Sequence, residues 1–121
     1  MKKILVADDD KKIAAALEIR LQAAGYDTVA VPDGFRSFMV AAGQHPDLIL
    51  MDVCMPYGDG FAVVQELLDL HGAPIPVIFM TASRKEGLWA RAQECGAAGF
   101  FEKPFDVDKL LNTIARTLRE P

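Results

Sequence analysis

The chain has 121 residues, 51% hydrophobic and 25% charged, with a net charge of −4; this is the size and mix of one domain able to bury a core without staples. The acidic balance excludes an electrostatic footprint for nucleic acid on this chain. No apolar run approaches the ~18 residues of a membrane span, and Cys54 and Cys95 lack the spacing of a zinc site or a disulfide framework. A reducing, cytoplasmic setting and a single domain over residues 1–121 are therefore expected.

Short apolar or β-branched runs alternate with segments of helical spacing, which predicts a parallel sheet covered by helices on both faces. The first strand is Lys3 to Ala7, too short for a secretion signal and followed at once by Asp8-Asp9-Asp10. A helix from about Lys11 to Ala24 places Ile13, Leu17, Leu21 and Ala24 on one face before Gly25. Asp27 to Val31 form the second strand, and a helix from about Asp33 to Gly43 is expected to turn Phe35, Phe38, Met39 and Ala42 inward. The third strand, Leu48 to Met51, is apolar throughout, as a strand buried on both faces should be. It stops at Asp52. After the Pro56-Tyr57-Gly58-Asp59-Gly60 turn, a helix from about Phe61 to Leu70 carries Val63, Val64, Leu67 and Leu68 inward. Val77 to Met80 form the fourth strand. A helix from about Lys85 to Glu94 follows, with Leu88, Ala92 and Cys95 inward; then come a short strand, Ala98 to Phe101, and a last helix from Val107 to Leu118.

Right-handed crossovers bring the ends of all parallel strands to one rim, where doubly wound sheets bind ligands. The polar residues that interrupt the pattern fall there: Asp8, Asp9 and Asp10 after the first strand, Asp52 after the third, Thr81 after the fourth, Lys103 after the fifth. In the flavodoxin-like order 2-1-3-4-5 the first and third strands are neighbours, so Asp8, Asp9 and Asp52 gather and repel unless a cation lies among them. Oxygen donors in an open cluster suit Mg²⁺, with Mn²⁺ as a substitute. An aspartate can itself be a nucleophile toward phosphorus, with a lysine neutralising charge on the moving group; Asp52 and Lys103 fit those roles.

In this pattern the chain, from Lys3 to Leu118, resembles the receiver domain of two-component response regulators. The acidic pair Asp8-Asp9, the acceptor loop Asp52-Val53-Cys54-Met55-Pro56 with Asp59-Gly60, Thr81, and Lys103-Pro104-Phe105 stand in the family's order. The resemblance implies a signalling domain, not a turnover enzyme, that accepts a phosphoryl group on Asp52 from a sensor histidine kinase or histidine phosphotransfer protein. It implies Mg²⁺ held by Asp9, Asp52 and the Cys54 backbone carbonyl, with Asp8 acting mainly through water; Asp10 is not implied. Lys103 would pair with a phosphoryl oxygen, Thr81 would turn toward another, and Phe100 would stand at the switch position. Phe100 lacks the hydroxyl that a tyrosine would use to lock the inward state. The family's lysine-proline peptide is often cis. The signal would leave by the face of the fourth helix, fifth strand and fifth helix, toward an output domain or partner, and a phosphorylation-dependent homodimer through that face is a further expectation.

Alternatives remain at several positions. Phe101 competes with Phe100 for the inward place, because adjacent strand residues face opposite ways. Trp89 is either an exposed anchor on the output face or packed against a neighbouring helix. The Cys54 side chain, expected at the site mouth, either tunes the phosphate's lifetime or is inert. His45 and His71 read as loop residues with no role. Among other functions, an aspartate phosphatase would need a second acid where Cys54 stands, and a flavin-phosphate module would need neutral donors where Asp8-Asp9-Asp10 stand. A receiver kept only for docking would not require the full acidic, hydroxyl and lysine set.

Overall fold

Alternate residues of a strand face opposite ways, and the first strand, β1 (Lys3–Ala7), divides its side chains accordingly: Ile4 and Val6 enter one buried cluster, Leu5 and Ala7 another. The computed structural model describes residues 1–71 and 75–119, so residues 72–74 and 120–121 of the expected domain lie outside the described residues. The elements continue as α1 (Lys11–Ala23), β2 (Asp27–Val31), α2 (Gly34–Gln44), β3 (Leu48–Asp52) and α3 (Gly60–His71). They end with β4 (Val77–Thr81), α4 (Leu88–Glu94), β5 (Gly99–Glu102) and α5 (Val107–Leu118). The strands form one parallel sheet in the order β2-β1-β3-β4-β5, the doubly wound architecture expected.

Central strands β3 and β4 are buried along their whole length, as strands covered on both faces must be. On one side Leu5, Ile49, Met51 and Phe79 pack with Ala41, Phe61, Leu67 and Leu88 of α2, α3 and α4. On the other, Ile4, Leu50, Ile78 and Met80 pack with Leu17 and Leu21 of α1 and Leu110 and Ile114 of α5. Both sides thus hold apolar layers, leaving the strand ends as the place for charge.

Helix phases differ from the sequence reading where close packing outweighs hydrophobicity. In α2, Phe35 is 64% and Met39 55% exposed, while Gly34, Ser37 and Ala41 face inward with Phe38 and Ala42 half-buried. The reason is proximity: a Cβ on Gly34 would lie 2.5 Å from the Gly58 carbonyl oxygen, so this face takes only small residues. In α1, Ala14 is buried, whereas Ala24 is the exposed C-cap. Leu68 of α3 is also exposed, and His71 closes that helix instead of lying in a loop.

The fourth helix starts at Leu88, three residues later than expected. Ser83 N–H donates to Thr81 Oγ1 at 2.9 Å and Lys85 N–H to Ser83 Oγ at 3.1 Å. These side chains capture N–H groups in turns before a helix can form, and Gly87 then enters α4 with φ +88°. The strands β3 and β4 run one residue further than expected, to Asp52 and Thr81, and β5 is displaced by one.

Candidate functional site

Asp8 continues the line of β1: its N–H donates to Val31 O at 3.1 Å, and its side chain is buried. One carboxylate oxygen, Oδ1, accepts the Asp10 N–H at 2.9 Å. Asp10 turns the other way and caps α1, accepting from the N–H groups of Lys12 at 3.0 Å and Ile13 at 3.1 Å. Within one acidic run, therefore, the first residue points into the rim and the third closes a helix. Asp9 between them is exposed.

Asp52 is the last residue of β3 and only 5% exposed. Its Oδ1 accepts the Cys54 N–H at 3.1 Å, and its Oδ2 accepts from Lys103 Nζ at 3.1 Å. The same ammonium donates to Asp8 Oδ2 at 2.7 Å. Lys103 reaches the rim because its own N–H continues the sheet, donating to Thr81 O at 2.8 Å. The Lys103-Pro104 peptide is cis. Thr81 is buried at the end of β4, its hydroxyl oxygen accepting from Ser83 N–H.

Oxygen atoms of Asp8, Asp9 and Asp52 lie within 4.8 Å of one another. Three carboxylates against one ammonium leave a net deficit of two positive charges, and the donors are all hard oxygen. A divalent, oxygen-seeking cation matches that arrangement in charge and ligand type. Burial pushes the Asp52 carboxyl up to about 6; the Cys54 N–H and Lys103 offset part of this, and repulsion from Asp8 adds to it. Burial alone would lower Lys103, but its hydrogen bonds to Asp8 and Asp52 and their charges raise it above the usual lysine value. It is a fixed cation at neutral pH.

Asp9, Asp52, Cys54, Thr81, Ser83 and Lys103 line an open cleft of about 480 Å³. The structure thus brings together Asp8, Asp9, Asp52, Thr81 and Lys103, while the Asp10 carboxylate of the same acidic run is taken up by the α1 cap. Ser83, which the sequence reading passed over, joins them; its signal was the Thr-x-Ser spacing that makes successive hydroxyl-to-N–H turns. The exposed Cys54 side chain stands at the mouth.

Phe100 and Phe101 part company as strand alternation requires. Phe100, partly buried, packs on the α2–α3–α4 side and meets Trp89 edge-on, with ring centroids 5.5 Å apart. Phe101 lies on the opposite side, 5.7 Å from Phe105. Trp89 is 54% exposed and its ring contact is with Phe100 of β5, not with a neighbouring helix.

Among the described residues no helix is long and apolar enough to cross a membrane. A family model described as response regulator receiver domain matches residues 4–115. The DNA-binding dual master transcriptional regulator RpaA of Synechocystis is 38% identical over 120 residues, which cover 98% of this chain and 50% of that protein; the chain spans about half the length of such relatives. A receiver domain of a Francisella response regulator superposes with a TM-score of 0.89 at 29% identity, covering 98% of both chains. A CheY-like receiver domain protein from Methanospirillum hungatei shares the fold, with a TM-score of 0.91 at 22% identity, covering 99% of this chain and 95% of that one. With the family pattern matched over nearly all its length, and the strand-end residues gathered as that pattern implies, this chain belongs to the receiver domains of two-component response regulators.

Proposed function

We propose that Asp52 is the phospho-acceptor of this receiver, taking its phosphoryl group from the phosphohistidine of a sensor histidine kinase or histidine phosphotransfer protein. The observation that carries the reading is the placement of Asp52: a buried carboxylate at a strand end, gripped by Lys103 Nζ at 3.1 Å and opening onto the acidic cleft. An Asp52 oxygen attacks phosphorus; the P–N bond breaks, its electron pair stays on the imidazole nitrogen, which takes up a proton, and an acyl phosphate forms. Lys103 supplies a positive charge to the transferred oxygens, and the Thr81 hydroxyl donates to another.

The donor set fits Mg²⁺, with Mn²⁺ as a substitute; Asp8, Asp9, Asp52 and the Cys54 carbonyl would hold it. When bound, the ion would offset charge on the phosphoryl oxygens. The chain's own residues orient and hold: Asp8 fixes the Lys103 ammonium, and Cys54 N–H fixes one Asp52 oxygen. Movement of Thr81 toward the phosphoryl group opens room for Phe100 to turn inward, passing the signal to the face of α4, β5 and α5. Without a hydroxyl on Phe100, that state is held by packing alone. The whole chain, residues 1–121, acts as one cytoplasmic signalling domain and not as a turnover enzyme. Its output goes to a further domain or partner, of the DNA-binding kind in the case of RpaA-like relatives, and a homodimer through the same face belongs to this reading.

The test is intact mass after incubation with Mg²⁺ and acetyl phosphate. One added phosphoryl group is expected in the parent, and none in Asp52→Asn or with the metal chelated. No addition from acetyl phosphate or from a phosphorylated kinase would overturn the proposal.

A further inference from the structure

The strands that deliver Thr81 and Lys103 are neighbours, with Thr81 opposite Glu102 in register. Beyond Thr81 the chain leaves the sheet, and two short turns hold it: Ser83 N–H on Thr81 Oγ1, then Lys85 N–H on Ser83 Oγ. Arg84 lies between those turns, and its guanidinium reaches across to form an ion pair with Glu102 on β5. Glu102 immediately precedes Lys103. One side-chain pair therefore ties the loop behind Thr81 to the strand end that presents Lys103.

We propose that the Arg84–Glu102 pair is a clasp that holds the loop after β4, and with it the Thr81 hydroxyl, in the arrangement described here, and so sets how readily the domain passes to its phosphoryl-bound state. The inference rests on the reading above, in which Thr81 turns to a phosphoryl oxygen. Among the described residues the Thr81 hydroxyl makes no hydrogen bond to Asp52 or Lys103; its oxygen is engaged by Ser83 N–H. Turning that hydroxyl toward Asp52 loosens the Ser83 turn, and Arg84, the next residue, moves with it. A contact made in only one of two states biases the equilibrium by its full worth.

The clasp is modest by nature, because its side chains are 74% and 50% exposed. Exposed pairs of this kind shift an equilibrium roughly two- to fivefold and are screened by salt. That is enough to tune a switch without locking it.

Affinity for beryllofluoride, a phosphoryl mimic, measured by fluorine NMR in saturating Mg²⁺ at low salt, tests the idea. Arg84→Gln and Glu102→Gln are expected to bind roughly two- to fivefold more tightly than the parent. Arg84→Lys, which keeps the charge, should fall between, and the exchanged pair Arg84→Glu with Glu102→Arg should return toward the parent value. In about 0.5 M salt the parent should approach the single variants. Unchanged or weaker binding by both single variants, or an exchanged pair no different from them, overturns the clasp while the phospho-acceptor reading stands. A parent that takes up no beryllofluoride and no phosphoryl group overturns both.

Discussion

The two rims of the sheet contrast in what their carboxylates meet. At the rim where the strands begin, Asp47 accepts the Lys3 N–H at 2.7 Å, and its own N–H donates to Lys3 O at 2.8 Å. A carboxylate there closes a backbone joint. At the rim where the strands end, Asp8 and Asp52 share a single ammonium and lie beside a third carboxylate. The starting rim also has the roomier hollow, about 840 Å³ lined by Met1, Lys2, Tyr26, Asp47 and Leu111 among others, against about 480 Å³ for the acidic cleft. Space does not mark the site; unneutralised charge converging from separate strands does, because such an arrangement costs stability unless a ligand offsets it.

The strongest way to break this contrast is to remove one carboxylate from each rim. Asp52→Asn should abolish phosphoryl uptake in the mass assay. Asp47→Asn should leave uptake at the parent level and cost about 1 kcal/mol of stability for a weakened backbone hydrogen bond. Loss of uptake in Asp47→Asn with an intact fold would erase the distinction.

Next in size is Lys103→Gln. Without the ammonium, Asp8 and Asp52 face each other uncompensated, and the chelated protein should lose about 2–3 kcal/mol in urea unfolding. Saturating Mg²⁺ should restore part of that loss, since a cation added at the cluster replaces the missing charge. An equal loss with and without metal would mean that the cluster holds no cation.

A third effect follows from the Asp52 carboxyl, pushed up to about 6 chiefly by burial. A protonated carboxyl is a poor metal ligand, so Mg²⁺ affinity should weaken about tenfold between pH 7 and pH 5. Stability of the chelated protein has the opposite sign. An acid whose folded pKa lies above its unfolded value contributes stability below the unfolded value and loses it as pH rises through about 6. The parent should therefore gain on Asp52→Asn in chelator as pH falls from 7 to 5, and a flat difference between the two urea curves would refute the shift.

The fold was legible because its signals are redundant. The apolar run at Leu48–Met51 identified a doubly covered strand, and α5 was delimited at Val107–Leu118 by its regular spacing. The rim residues were legible because strand ends fall at abrupt changes from apolar to polar. Other features depend on contacts far along the chain. Nothing near Gly34 announces the Gly58 carbonyl that forces small residues inward and leaves Phe35 and Met39 outside. Helical spacing around Lys85 likewise gives no weight to the Thr81 and Ser83 hydroxyls that delay α4 to Leu88. Phe100 and Phe101 could be told apart only once the sheet register, Phe79 opposite Phe100, was known.

The finest test lies within the acidic run itself, where neighbouring carboxylates have different tasks. Asp10 accepts two N–H groups at the start of α1 and contributes only its own backbone N–H to Asp8. Asp10→Ala keeps that N–H and deletes the cap, so it should lower stability by about 1 kcal/mol and leave phosphoryl uptake unchanged. Asp9→Ala should do the reverse: its side chain is exposed, with little packing to lose, yet it supplies an oxygen to the cluster. Its Mg²⁺ affinity should fall severalfold, read by titration at pH 7, with the urea midpoint in chelator unchanged or slightly raised by the relief of repulsion. If both substitutions weakened Mg²⁺ binding equally, the run would be acting as a diffuse negative patch, and the separation of ligand from cap by strand geometry would be wrong.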